Sequence, residues 1–122
     1  MHMLIWRRSP LPSGSFEEEQ TGLELTWRPE MDVFELRDEY LLSVSLPGVR
    51  AEDVEVTVTG GTLLIYGERR LAVQDGAVAH LIESSTGRFK RPVRLPPNSD
   101  IERISSELVD GQLKIHVPKR RG

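Results

Sequence analysis

Asp110-Gly111, set between the runs Ser106–Val109 and Gln112–Val117, constrains this chain more than any other stretch. A two-residue hairpin turn needs positive backbone angles, and Asp-Gly supplies them at little cost. Leu113, Ile115 and Val117 alternate with Gln112, Lys114 and His116 at the strand period of two, so one face of this arm is apolar. Pro118 has no N–H to donate to a ladder, which predicts that pairing ends there.

The same pattern recurs upstream. Leu42, Val44 and Leu46 alternate with Leu41, Ser43 and Ser45, and Pro47-Gly48 closes that run. Val54, Val56 and Val58 alternate with Glu55, Thr57 and Thr59, and their β-branching favours a strand further. Gly60-Gly61 turns the chain back into Leu63–Tyr66, a second arm predicted to end at Gly67. Met31 to Leu36 reads as a short strand with apolar groups on both faces, and His80 to Glu83 as a brief one. In Arg88 to Leu95, Phe89, Arg91, Val93 and Leu95 share a face, and Pro92 predicts an edge, a bulge or a gap in pairing, with distortion near the middle. Two helical turns are predicted, at 50–53 and, capped from Asn98-Ser99-Asp100, at 101–103. Seven or eight short strands without a long amphipathic helix define an all-β fold of two antiparallel sheets packed face to face.

With 122 residues, the chain is one domain's worth. Residues 1–26 show no clean period, so they are read as a flexible N-terminal segment ahead of a domain over 27–119, with 120–122 as a residual tail. Net charge is −3, which argues against a general attraction to nucleic acid, and Lys119-Arg120-Arg121 is read as a solvated tail. There is no cysteine, which excludes disulfides and thiolate sites. No stretch approaches the roughly 18 to 20 apolar residues that span a bilayer, so no membrane span and a cytoplasmic location are expected.

Chemistry is sparse. His2, His80 and His116 are the available imidazoles, and none sits in a triad or metal-ligand spacing. Asp32 with Glu35, or Glu52 with Asp53, are candidate carboxylate pairs with no pocket signal beside them. The glycines stand between strands and form no phosphate loop. No enzyme activity and no cofactor are therefore expected. Interaction is the stronger candidate, because an open strand edge can accept an extended peptide and an apolar groove would make that selective. Val54, Val56 and Val58, with Ile104 and Leu108, are the residues that would line one.

Three motifs occur in the order and spacing of one family: Leu46-Pro47-Gly48-Val49, Gly87-x-Phe89-x-Arg91-x-x-Arg94-Leu95-Pro96, and Asp110-Gly111-x-Leu113-x-Ile115-x-Val117-Pro118-Lys119. Together with Trp27-Arg28-Pro29, Asp32 and Glu35, they make residues 27–119 resemble the α-crystallin domain of small heat shock proteins. The resemblance implies an immunoglobulin-like antiparallel β-sandwich and an ATP-independent chaperone, a holdase that binds partly unfolded proteins and limits their aggregation under stress. It implies a homodimer formed by exchange of a strand from the loop Glu68–Ser85, with His80, Leu81, Ile82 and Glu83 at the interface. Arg91 and Arg94 match the basic strand near that interface, without the role being divided between them. Val54, Val56, Val58, Ile104 and Leu108 become a groove for clients or a docking tail, and Leu4, Ile5, Trp6 and Phe16 become N-terminal client contacts. Ser106 and Gln112 make the final hairpin more polar than is usual in the family. No Ile-x-Ile/Val docking motif follows Lys119, so a dimer is expected as the firm unit, with any larger homo-oligomer built through the N-terminal segment. A p23-like or CS-type co-chaperone module, monomeric on the same sandwich, is the alternative; the long loop and the Gly87–Pro96 motif disfavour it.

Overall fold

Alternation at period two carries directly into burial. In the computed structural model, which describes residues 2–4, 17–18 and 27–121, Tyr40, Leu42 and Val44 are buried on one face of their strand while Leu41, Ser43 and Ser45 stay half-exposed. Nine strands form among these residues: β1 (His2–Leu4), β2 (Glu17–Glu18), β3 (Met31–Glu35), β4 (Glu39–Ser45), β5 (Val54–Thr59), β6 (Thr62–Arg69), β7 (Gly87–Arg94), β8 (Ser105–Val109) and β9 (Gln112–Pro118). They make two antiparallel sheets, β1-β3-β4-β9-β8 and β2-β7-β6-β5. The chain crosses between sheets after β4 and after β7, each time through a 3-10 turn, Ala51–Asp53 and Ile101–Arg103. The expected all-β sandwich is therefore the architecture observed.

Between the sheets lies one apolar core. Phe89, Leu42, Leu46, Leu63, Ile65, Ile115, Val44, Val93 and Val117 are essentially sealed from solvent. Each large member contributes about 1.5–3 kcal/mol of transfer free energy. Trp27 closes one end, its ring edge-to-face with Phe89 at 5.3 Å and its indole N–H donating to the Gly87 carbonyl at 2.8 Å. Arg69 lies over the other face of that neighbourhood, 5.8 Å from the Trp27 ring centre.

The final hairpin turns as its residues require, with φ of 52° at Asp110 and 77° at Gly111. Local details add to these expectations or depart from them. Within the segment that lacks a sequence period, β1 adds to β3 and β2 to β7, since pairing to an existing edge uses backbone groups alone. No strand forms at His80–Glu83. Pro92 takes the edge position, one of its expected readings, since among the described residues β7 pairs on its other side at Val93 and Arg94 alone. The expected distortion is absent: the β6–β7 register runs unbroken, with Pro92 opposite Leu64. Asp100 makes no side-chain cap to the second 3-10 turn, and its carboxylate lies 3.6 Å from Arg103 instead. Finally, Pro118 does not end the pairing. Proline lacks the donor but keeps the acceptor: Asp100 N–H donates to the Pro118 carbonyl at 2.7 Å, and Ser99 then bridges Lys119.

β6 also continues past Gly67 to Arg69, where a stop was expected. The reason is spatial. Gly67 faces Val54 on one side and Phe89 on the other, and a Cβ there would stand 2.1 Å from the Asp53 carbonyl oxygen and 2.9 Å from the Phe89 ring. Backbone cannot yield as a flexible side chain can, so Gly67→Ala is expected to cost about 1–3 kcal/mol, read as a lower urea midpoint in equilibrium unfolding.

Candidate functional site

Among the described residues β5 and β8 end their sheets, so each presents one row of ladder groups without a neighbouring strand. Along β5 the side chains alternate between half-buried Val54, Val56 and Val58 and exposed Glu55, Thr57 and Thr59. The valines point inward but lack the cover a further strand would provide. Ile104 and Leu108 stand in the same condition at β8, with exposed Ser106 between them on that face. All five pack against the core cluster. Val109 and Ile101, both exposed, extend the apolar surface near β8. On the outer face of the β5–β6 pair, the Tyr66 hydroxyl donates to Glu55, and that bond holds the phenol above its usual pKa.

A second exposed apolar surface lies on residues 70–86, the connection between β6 and β7. Residues 70–85 are all exposed, among them His80, Leu81, Ile82 and Glu83. Val78 is 78 % and Leu81 77 % accessible, and Leu71, Val73 and Ile82 add to the same stretch. Asp75-Gly76 makes the expected turn within it, closed by Ala77 N–H to the Gln74 carbonyl at 3.0 Å. Five large apolar side chains left in water on one segment mark a surface that gains by being covered.

Arg91 and Arg94 diverge. Arg91 is 4 % exposed, and its Nη1 donates to the Pro29 carbonyl at 2.5 Å, tying β7 to the lead-in of β3. Arg94 is exposed on the other face, in register with Thr62 of β6 and Glu17 of β2. Of the N-terminal residues, Leu4 lies in β1 opposite Val33, and Ile5, Trp6 and Phe16 fall outside the described residues.

Sequence reasoning took Gly67 for a strand end and Asn98 for part of a cap, and passed over the Trp27–Gly87 bond; the Asn98 side chain accepts instead from the Tyr40 hydroxyl at 2.8 Å. Only Trp27 carried a signal, as a large aromatic just ahead of a strand. His116 sits between Glu39, 3.1 Å from Nδ1, and Glu107, 3.8 Å from Nε2. Among the described residues no group of three or more His, Asp or Glu side chains converges as a metal site would require, and no helix is long and apolar enough to cross a membrane.

A two-sheet antiparallel sandwich with a bare strand at one end of each sheet and a long exposed β6–β7 connection is the architecture of an α-crystallin domain. The model of the Hsp20/alpha crystallin family matches residues 32–122, and the chain belongs to that family of small heat shock chaperones. It is 34 % identical over 114 residues to a 16.9 kDa class I heat shock protein of Triticum aestivum, covering 92 % of this chain and 74 % of that protein. To a 17.7 kDa class II heat shock protein of Arabidopsis thaliana it is 32 % identical over 91 residues, 72 % of this chain and 58 % of that one. With several such curated relatives the chain spans only about half to three-fifths of their length. Among solved structures, a small heat-shock protein from Xylella fastidiosa superposes with a TM-score of 0.74 at 33 % identity, over 80 % of this chain and 90 % of that one. HspA from Xanthomonas axonopodis gives 0.69 at 33 % identity, over 77 % and 95 %.

The two arginines separate experimentally. Arg91→Ala leaves the buried Pro29 carbonyl unpaired and is expected to lower stability by about 1–3 kcal/mol. Arg94→Ala, at an exposed position, is expected to stay within about 0.5 kcal/mol of the parent in the same urea titration.

Proposed function

We propose that this protein is an ATP-independent holdase of the cytoplasm that captures partly unfolded proteins and limits their aggregation. The observation that carries the reading is the pair of bare strands β5 and β8. Half-buried Val54, Val56, Val58, Ile104 and Leu108 lie there beside open ladder groups, so an extended apolar segment of a client gains backbone bonds and side-chain burial together. Capture of this kind consumes no nucleotide. Residues 27–119 form the working domain in this reading, and Leu4, Ile5, Trp6 and Phe16 add client contacts.

The working unit is a homodimer in which the 80–83 stretch of one chain adds as a strand to the other. Its support is the exposure of Leu81 and Ile82 on a segment with no pairing of its own. Arg94 meets the partner from the exposed face, and buried Arg91 holds the β3 lead-in against β7 from behind.

Two measurements test this. A molar excess of the protein is expected to suppress the heat-induced turbidity of a labile client, and Val56→Thr, which keeps volume but adds a hydroxyl, to suppress it several-fold less at a temperature where the variant is still folded. Unchanged turbidity with the parent protein overturns the holdase. Light scattering at micromolar concentration is expected to give a dimer that Leu81→Asp with Ile82→Asp converts to monomer. A monomeric parent would overturn the exchange and favour a co-chaperone module on the same sandwich.

A further inference from the structure

Where the β3–β4 turn, the connection after β7 and the residues after β9 meet, they enclose a recess of about 520 Å3. Arg37, Arg103, Lys119, Arg120 and Arg121 line it, with Asp38 as the lining carboxylate. Five cations from three separate parts of the chain are thus gathered on a protein whose net charge is −3. The frame that gathers them is backbone. Lys119 N–H donates to the Asp38 carbonyl at 2.9 Å and Arg120 N–H to the Asn98 carbonyl at 2.8 Å, while Asp100 N–H donates to Pro118. Lys119-Arg120 is therefore held in place, where a solvated tail was expected.

Charge balance inside the recess is incomplete. Lys119 pairs with Glu35 at 2.8 Å and Arg103 lies 3.6 Å from Asp100. The Arg120 guanidinium donates to the neutral Pro97 carbonyl, and among the described residues Arg37 and Arg121 have no carboxylate partner. Asn98 adds a neutral donor: its carbonyl oxygen accepts from Tyr40, which leaves the side-chain NH2 as the end available to a ligand. A cleft lined by one sign of charge concentrates counter-ions of the other. Guanidinium groups suit tetrahedral oxyanions because their planar forks bond two oxygens at once. The volume falls in the small-ligand range of roughly 300–1,000 Å3, and the polar lining offers little to an apolar compound.

We propose that this recess binds a small polyanion of closely spaced phosphate groups. The site uses none of the residues assigned to client capture or to dimer formation, so it stands or falls independently of that reading.

Inorganic tripolyphosphate is the probe. Calorimetric titration of the intact protein at low ionic strength is expected to show one saturable site per chain and a raised unfolding midpoint. Arg37→Ala combined with Arg121→Ala, both exposed positions, is expected to weaken binding at least tenfold while leaving the ligand-free midpoint unchanged. Arg50→Ala, which removes an exposed arginine paired with Glu52 elsewhere on the surface, is expected to leave binding as it was. Citrate is expected to bind at least tenfold more weakly. No saturable binding overturns the site, as does equal binding by the double variant or equal loss in Arg50→Ala; equal affinity for citrate overturns the phosphate assignment.

Discussion

The antiparallel pairing of β4 with β9 holds this molecule together. It runs through seven rungs from Glu39 opposite Pro118 to Ser45 opposite Gln112. These rungs join residues about seventy positions apart, so the loop-closure entropy of most of the domain is spent on one ladder. The return is that Leu42, Val44, Leu113, Ile115 and Val117 come onto one inner surface, the floor on which Phe89, Leu63, Ile65 and Val93 of the other sheet rest. Polar ends reinforce it: Lys119 bridges to Glu35 and His116 to Glu39 at the margins of the same strands.

Because β4 and β9 occupy the middle of their sheet, β8 is left at its rim, and β5 is left at the rim of the other. A strand at a sheet rim with apolar side chains is a ready template for edge-to-edge aggregation. Here the inward-facing valines of β5 are only half covered, while the outward positions Glu55, Thr57 and Thr59 are polar. A charged residue and two hydroxyls on the open strand discourage indiscriminate edge pairing. The β6–β7 connection follows a different logic, with its apolar side chains exposed to solvent rather than tucked beside the core.

The two arginines of β7 show how far a motif carries. Spacing three apart on a strand puts Arg91 and Arg94 on opposite faces, and that much follows from period two. That the inward one is satisfied by the Pro29 carbonyl, sixty-two residues away, is a property of the packed molecule. The basic recess has the same character: Arg37, Arg103 and Arg121 are isolated in the sequence and become neighbours only once Lys119 and Arg120 are laced between two turns.

Local chemistry was legible in the residues alone. Period-two alternation named β4, β5 with its valines, and β9, and the Gly60-Gly61 and Asp110-Gly111 pairs named their turns, because each depends on backbone preferences a few residues wide. The tertiary structure decided what those rules do not reach. It carried β6 through Gly67, because the Asp53 carbonyl and Phe89 leave no room there for a side chain. It left His80–Glu83 unpaired, gave β3 and β7 neighbours from a segment without period, and extended pairing past Pro118. A strand propensity is a property of a segment, whereas a ladder, a void or a charge cluster is a relation between distant segments, and only folding sets that relation.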